Sequence, residues 1–118
     1  MAGLLTMSEN GWSITYLSRE HKPNIPEESQ RIAQAGGRVE PFRLPDGNFI
    51  GPPRVWKKHE DAPGLMMTRT FGDKVGHQCG IIATPEVLIE ENKPCFKALL
   101  VGSDGVWEIL PEQMVINT

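Results

Sequence analysis

The chain has 118 residues, 39% of them apolar, with a net charge of −3, which is material for one small domain or part of one. No run approaches the ~18 apolar residues of a membrane span, and the opening MAGLLTMSENG lacks the basic start and long apolar centre of a signal peptide, so a cytoplasmic or nuclear location is expected. The acidic balance, with Lys57-Lys58 running straight into His59-Glu60-Asp61, argues against nucleic acid as a partner.

In NGWSITYLSREHKP the residues Trp12, Ile14 and Tyr16 alternate with Ser13, Thr15 and Leu17 behind an Asn10-Gly11 turn signal, which predicts a hairpin strand. Only the short GLLTM is left to pair with it, so the chain is expected to enter in the middle of a hairpin. PNIPEESQRIAQAGG predicts a short helix: Pro26 suits its first turn, Glu27 and Glu28 complement the dipole, and Gly36-Gly37 supply a left-handed stop. Its small apolar face of Ile32, Ala33 and Ala35 implies close packing. RVEPFRL reads as a strand. LPDGNFIGPP reads as a loop that is not regular sheet throughout, and RVWKKHEDAPG as irregular surface.

GLMMTRTFGD predicts a helical turn ended by Gly72, with Arg69 and Asp73 as an i,i+4 pair. GIIATPEVLIEE predicts a strand broken at Pro85, KALLV another strand, and PEQMVINT the start of a helix that stops early. Cys79 and Cys95 form no CxxC, and the three histidines are scattered. Neither a zinc site nor a disulfide framework is indicated, and buried reduced thiols are expected.

The sharpest question lies in KALLVGSDGVWEIL. A continuous run such as Ala98-Leu99-Leu100-Val101 suits a strand covered on both faces. Asp104-Gly105 after it is either a tight turn or a carboxylate placed at a strand mouth to carry chemistry, and these residues alone leave both readings open.

Taken together, three blocks resemble the PPM-type (type 2C) metal-dependent protein serine/threonine phosphatases. REHKPNIPEESQRIAQAGGRV is similar to that family's D-H-K-P…E…R-I…G-G-x-V block, PGLMMTRTFGD to its P-G-L-A-x-S-R-x-F-G-D block, and ALLVGSDGVWEIL to its apolar strand followed by S-D-G-x-W-D-x-L. They fall in family order over nearly the whole chain. The resemblance implies an α/β (α+β) fold, a four-layer α-β-β-α sandwich of mostly antiparallel sheets, only partly represented in 1–118. On it Asp104 matches a metal-ligand aspartate at the C-terminal end of a central strand, and Glu20 and Glu108 stand where the family has the aspartates of a more weakly held additional ion. Asp73 and Arg69 fall on R-x-F-G-D as a buried supporting pair, and Trp107 on a core aromatic.

The implied activity is hydrolysis of phosphoserine and phosphothreonine in phosphoprotein substrates by metal-activated hydroxide, with two or three Mg²⁺ or Mn²⁺ ions in the complete domain. The family's D-G-H-G-G segment, its upstream phosphate-binding arginine block and its C-terminal D-N motif do not occur in these residues. The chain is therefore expected to be a domain truncated at both ends, with no general acid of its own and inactive alone. A phosphatase-like scaffold without catalysis is the alternative.

Overall fold

The computed structural model describes residues 1–117. In chain order its elements are β1 (Ala2–Ser8), β2 (Gly11–Tyr16), α1 (Pro26–Gln34), β3 (Gly37–Arg43), β4 (Phe49–Lys57), β5 (Pro63–Leu65), α2 (Lys74–His77), β6 (Phe96–Val101), α3 (Asp104–Trp107) and α4 (Glu112–Ile116). They gather into two units, residues 1–20 with 86–117, and His21–Pro85. Each unit holds one antiparallel three-stranded sheet, the first in the order β2-β1-β6 and the second β3-β4-β5. The chain is an antiparallel α+β fold.

The first unit grows from the predicted hairpin. β1 and β2 pair from Gly3 opposite Tyr16 to Ser8 opposite Gly11, and Gly11 takes the φ of 102° that the turn demands. On the other side of β1 runs β6, with Lys97 as an extra residue between the Leu5–Ala98 and Thr6–Phe96 pairs. The KALLV strand is therefore real, but among the described residues it is the edge of its sheet and β1 is the central strand. Leu99 and Val101 are 62% and 77% exposed, so the strand is not covered on both faces. α4 begins just after Pro111, as the sequence indicates, and the Glu112 carboxylate accepts the Ile14 N–H at 3.3 Å. That contact occupies the outer edge of β2, where an unpaired N–H would otherwise invite another strand.

The second unit carries the tighter core: Ile32, Val55, Cys79 and Ile81 are buried, with Val39 and Leu65 packed on them. α1 starts at Pro26, has Glu27 and Glu28 in its first turn, and stops where Gly36 adopts φ 81°. Its buried stripe is Glu28 and Ile32, one turn apart, while Ala33 and Ala35 are exposed. The predicted apolar face was drawn one residue too far round the helix, because a glutamate holds half of the true one.

Three further expectations are overturned. The stretch from Phe49 to Lys57 is a strand, not loop and surface, and it supplies the buried Val55 and Trp56. Its partner register jumps from Glu40–Arg54 to Phe42–Ile50, leaving Pro41 on one strand and Gly51, Pro52 and Pro53 on the other outside the ladder. The residues that read as breakers thus sit in one bulge, where a missing N–H costs no ladder bond. GLMMTRTFGD is no helical turn: β5 ends at Leu65, and Arg69 forms an isolated bridge with Ile82, in which Thr70 N–H donates to the Ile82 carbonyl at 3.0 Å and Ile82 N–H to the Thr68 carbonyl at 3.3 Å. The ATPEVLIEE segment joins no strand beyond that bridge, and Val87, Leu88 and Ile89 are exposed. An apolar run becomes a strand only where an edge is offered to it. Of the two thiols, Cys79 is buried as expected and Cys95 is exposed.

Candidate functional site

Asp104 lies three residues past the end of β6 and opens α3. The Asp-Gly pair is therefore a helix start and not a hairpin turn. Its Oδ1 accepts the Gly105 N–H at 2.9 Å, and the side chain is exposed. The single turn is closed by Val106 and Trp107 N–H donating to the Ser103 carbonyl at 3.1 and 3.2 Å, and by Glu108 N–H donating to the Asp104 carbonyl at 2.8 Å. Asp104 and Glu108 are thus i and i+4 on one turn, a spacing that sets Cβ atoms about 5–6 Å apart.

What fixes this turn is Trp107. Its Nε1 donates to the Met1 carbonyl at 2.9 Å and the Gly102 carbonyl at 2.7 Å, and its ring meets Tyr16 edge-on at 5.6 Å. The side chain is half-buried, a bracket between strand ends more than the core aromatic expected of it. Glu20 leaves the same end of the first sheet. Leu17 and Ser18 N–H donate to the Ala2 carbonyl at 2.9 and 3.4 Å, Ala2 pairs with Val101, and Gly102 N–H donates to the Met1 carbonyl at 3.1 Å. Across that rim β2 and β6 are two strand spacings apart, roughly 10 Å. This exceeds the roughly 4–8 Å of carboxylates bridged through one cation, so the loops after Ser18 and Gly102 have to converge for the three to serve one cluster. Among the described residues no three His, Cys, Asp or Glu side chains gather closely enough to hold a metal ion.

Arg69 and Asp73 do not pair with each other. The Asp73 Oδ1 caps α2 by accepting the Gly76 N–H at 2.9 Å. Arg69 instead donates to Glu28, from Nη2 at 2.5 Å and Nε at 3.2 Å, and to the Thr84 carbonyl at 3.0 Å. Glu28 is the residue that sequence reasoning missed. It is 1% exposed, and it also accepts from Arg31 Nη2 at 2.6 Å and meets Thr68 Oγ1 at 2.5 Å. The Arg31 guanidinium, with Arg69 and Thr68, holds the Glu28 carboxyl well below the usual carboxylate range against the opposing pull of burial. Arg31 continues outward to the Gly80 carbonyl at 2.9 Å and the Thr68 carbonyl at 3.0 Å. The available signal was the E-x-x-R-I spacing, which puts Glu28 one turn before the buried Ile32.

The family model described as Protein phosphatase 2C matches residues 4–118. The chain belongs to the protein phosphatase 2C family. Among its relatives, "Probable protein phosphatase 2C 12" of Oryza sativa subsp. japonica is 38% identical over 117 residues, covering 98% of this chain and 29% of that protein. "Probable protein phosphatase 2C 52" of Arabidopsis thaliana is 36% identical over 110 residues, covering 93% of this chain and 23% of that protein. The chain thus spans about a quarter of the length of the curated relatives it matches. The crystal structure of serine-threonine phosphatase 2C from Toxoplasma gondii superposes with a TM-score of 0.81 at 22% identity, over 98% of this chain and 38% of that one. That likeness shows the protein phosphatase 2C fold. No helix among the described residues is long and apolar enough to cross a membrane.

Proposed function

We propose that residues 1–118 form the central part of a protein phosphatase 2C catalytic domain, and that the complete domain hydrolyses phosphoserine and phosphothreonine in phosphoprotein substrates with Mg²⁺ or Mn²⁺, in the cytoplasm or nucleus. The observation that carries the reading is the exposed Asp104 carboxylate at the mouth of β6, with Glu108 one helical turn beyond. Carboxylate oxygens are the hard donors such cations take, so Asp104, Glu108 and Glu20 fit in kind. In number they fall short, and the remaining ligands would come from outside these residues. When bound, the cations would supply polarisation of a phosphoryl oxygen and an acidified water.

Asp104 would contribute charge to the main ion pair from a turn braced by Trp107. Glu108 and Glu20 would serve the weaker outer ion, each a methylene longer than the aspartate of the family pattern and so reaching more than about 1 Å further. Arg69 and Asp73 would act as supports, Arg69 through Glu28 and Asp73 through α2. The longer glutamates are also the observation that favours the second reading, a phosphatase-like scaffold without turnover.

The test uses the complete domain and a phosphopeptide. Asp104→Asn keeps the shape and removes the charge, and it should lower Mn²⁺-dependent hydrolysis by orders of magnitude while the melting temperature holds. Glu108→Gln should move the Mn²⁺ concentration for half-activity and leave the plateau nearly intact. Undiminished hydrolysis by Asp104→Asn would remove the residue from the metal centre, and hydrolysis by the 118-residue chain alone would show that it is not a partial domain. A complete domain that binds the phosphopeptide and never cleaves it, at any Mn²⁺ concentration, is the scaffold.

A further inference from the structure

We infer that Asn10 is a site of spontaneous modification, where the Gly11 backbone amide converts the asparagine to aspartate and isoaspartate through a cyclic imide. Three junctions in the chain place a side-chain amide or acid directly before glycine: Asn10-Gly11, Asp46-Gly47 and Asp104-Gly105. All three leading residues are exposed, so burial does not choose among them. The choice falls to how readily each side-chain carbonyl carbon meets the next backbone nitrogen. Asn10 lies at the tip of the β1–β2 hairpin, where its backbone N–H donates to Ser8 Oγ at 3.2 Å, and among the described residues its side-chain amide makes no hydrogen bond. Gly11 has no side chain to screen its nitrogen, and a Cβ built on it would meet no heavy atom within 4 Å. The approach is open.

In the reaction the Gly11 nitrogen attacks Cγ of Asn10, the Cγ–Nδ2 bond breaks, and ammonia leaves with the proton that the nitrogen gives up. Water then opens the ring at either carbonyl. Attack at Cγ leaves aspartate on the ordinary backbone, and attack at the main-chain carbonyl carbon leaves isoaspartate, whose backbone runs through Cγ and is one atom longer. Ring closure requires Asn10 to turn about its own Cα–C bond. That rotation disturbs the Ser8–Gly11 pair and two exposed contacts of the Ser8 hydroxyl, which accepts the Asn10 N–H at 3.2 Å and donates to the Gly11 carbonyl at 3.4 Å. The next pair, Met7–Trp12, stays closed. A hairpin tip that opens alone does so at small cost.

The two aspartates are held away from the same path. Both Asp46 oxygens are engaged by one residue, Oδ1 by the Asn48 N–H at 2.9 Å and Oδ2 by the Asn48 side-chain amide at 3.0 Å. Those donors hold the carboxyl below its ordinary range, and an ionised carboxylate has no ready leaving group. At Asp104 the helical turn fixes the main chain, with Val106 and Trp107 N–H donating to the Ser103 carbonyl, Glu108 N–H donating to the Asp104 carbonyl at 2.8 Å, and Trp107 tied to the strand ends. Rotating Asp104 far enough to close a ring breaks the Glu108 bond and swings the bracketed turn with it. The modification therefore falls on the hairpin tip and spares the turn that carries Asp104. At the tip it sets a new negative charge beside Glu9 and lengthens the backbone where the ladder begins.

The test holds the complete domain at pH 8, folded and in urea, and follows residues 10, 46 and 104 by peptide mapping with tandem mass spectrometry, with isoaspartate labelled by protein isoaspartyl methyltransferase. In the folded domain the label should appear at residue 10 well before residue 46 or 104. Conversion there should run within about tenfold of the rate in urea, because the tip opens on its own. Isoaspartate at residue 46 or 104 ahead of residue 10 overturns the inference. So does a folded rate at residue 10 more than about tenfold below the rate in urea, which would mean that the hairpin protects the junction.

Discussion

Glu28→Gln is the substitution that asks most of the second unit. The carboxylate now answers Arg31 at 2.6 Å, Arg69 at 2.5 Å and Thr68 at 2.5 Å while 1% exposed. An amide of the same shape offers one acceptor oxygen and two N–H donors, so at least one guanidinium comes to face a donor and both lose their counter-charge. Breaking a buried pair by removing one partner costs about 3–5 kcal/mol. Arg31 and Arg69 keep 25% and 15% of their side-chain surface in water, which rehydrates part of the abandoned charge and points to the lower end, about 3 kcal/mol. Set against the ~5–15 kcal/mol of a whole domain, that is a large share.

The pH dependence has a definite sign. The folded-state pKa is held below the ordinary 4.5, so the carboxylate's contribution is complete above pH 4.5 and is lost as pH falls below it, where the unfolded chain takes up the proton first. Trp56 is the tryptophan of the His21–Pro85 unit, so urea unfolding read from its fluorescence, with Trp12 and Trp107 replaced by Phe, reports on this unit. The gap between parent and variant should be widest at neutral pH and should shrink steadily below pH 4.5. A gap under about 0.5 kcal/mol at pH 7, within the range of an ordinary surface change, would refute the reasoning, and so would one that stays constant down to pH 3.

Two further outcomes follow from packing. Cys95 is exposed, whereas Cys79 is 1% exposed with its thiol pushed up by burial and by the Asp73 charge, so an aromatic disulfide reagent at pH 8 should titrate one thiol at once and the second only in denaturant; two equal fast phases would contradict the placement of Cys79. Gly80 adopts φ +91°, and a Cβ there would lie 2.8 Å from the Ala35 Cβ and 3.0 Å from the Ile32 Cα. Because α1 backbone cannot swing aside, Gly80→Ala should cost about 2 kcal/mol or more in the same urea assay, and an unmoved midpoint would show that α1 packs otherwise.

Where local chemistry suffices, the sequence was readable. Asn10-Gly11 allows the turn, Pro26 and Gly36 bracket α1, and Pro111 opens α4, each by backbone preferences that need no distant partner. The failures share a different cause. Gly51-Pro52-Pro53 looked like the end of regular structure because a window cannot show Pro41 opposite them, and only the two together make a bulge from which β4 resumes. VLIEE looked like a strand because a window cannot show that no edge is offered to it. Asp104 was ambiguous between a hairpin turn and a carboxylate at a strand mouth because a window cannot show that Gly105 continues into a helical turn closed on Ser103 and Asp104. Glu28 was taken for a dipole charge because nothing nearby in sequence places Arg69 and Thr68 forty residues further on against it.

The same contrast separates the two carboxylates by what each has left to give. Glu28 is enclosed, and its oxygens are committed to two guanidiniums and a hydroxyl, so a cation would have to displace charged partners already in contact and would meet their repulsion as well. Asp104 has one backbone N–H on one oxygen and faces solvent, which leaves its charge largely unspent. A metal ligand must be held in place without being neutralised. As a ligand, which is the role proposed for it, Asp104 would satisfy this because its positioning comes from Trp107 and the strand ends and not from a counter-ion. Tight pairing and available charge oppose each other within one carboxylate, and here the paired group is Glu28 and the solvent-facing one Asp104.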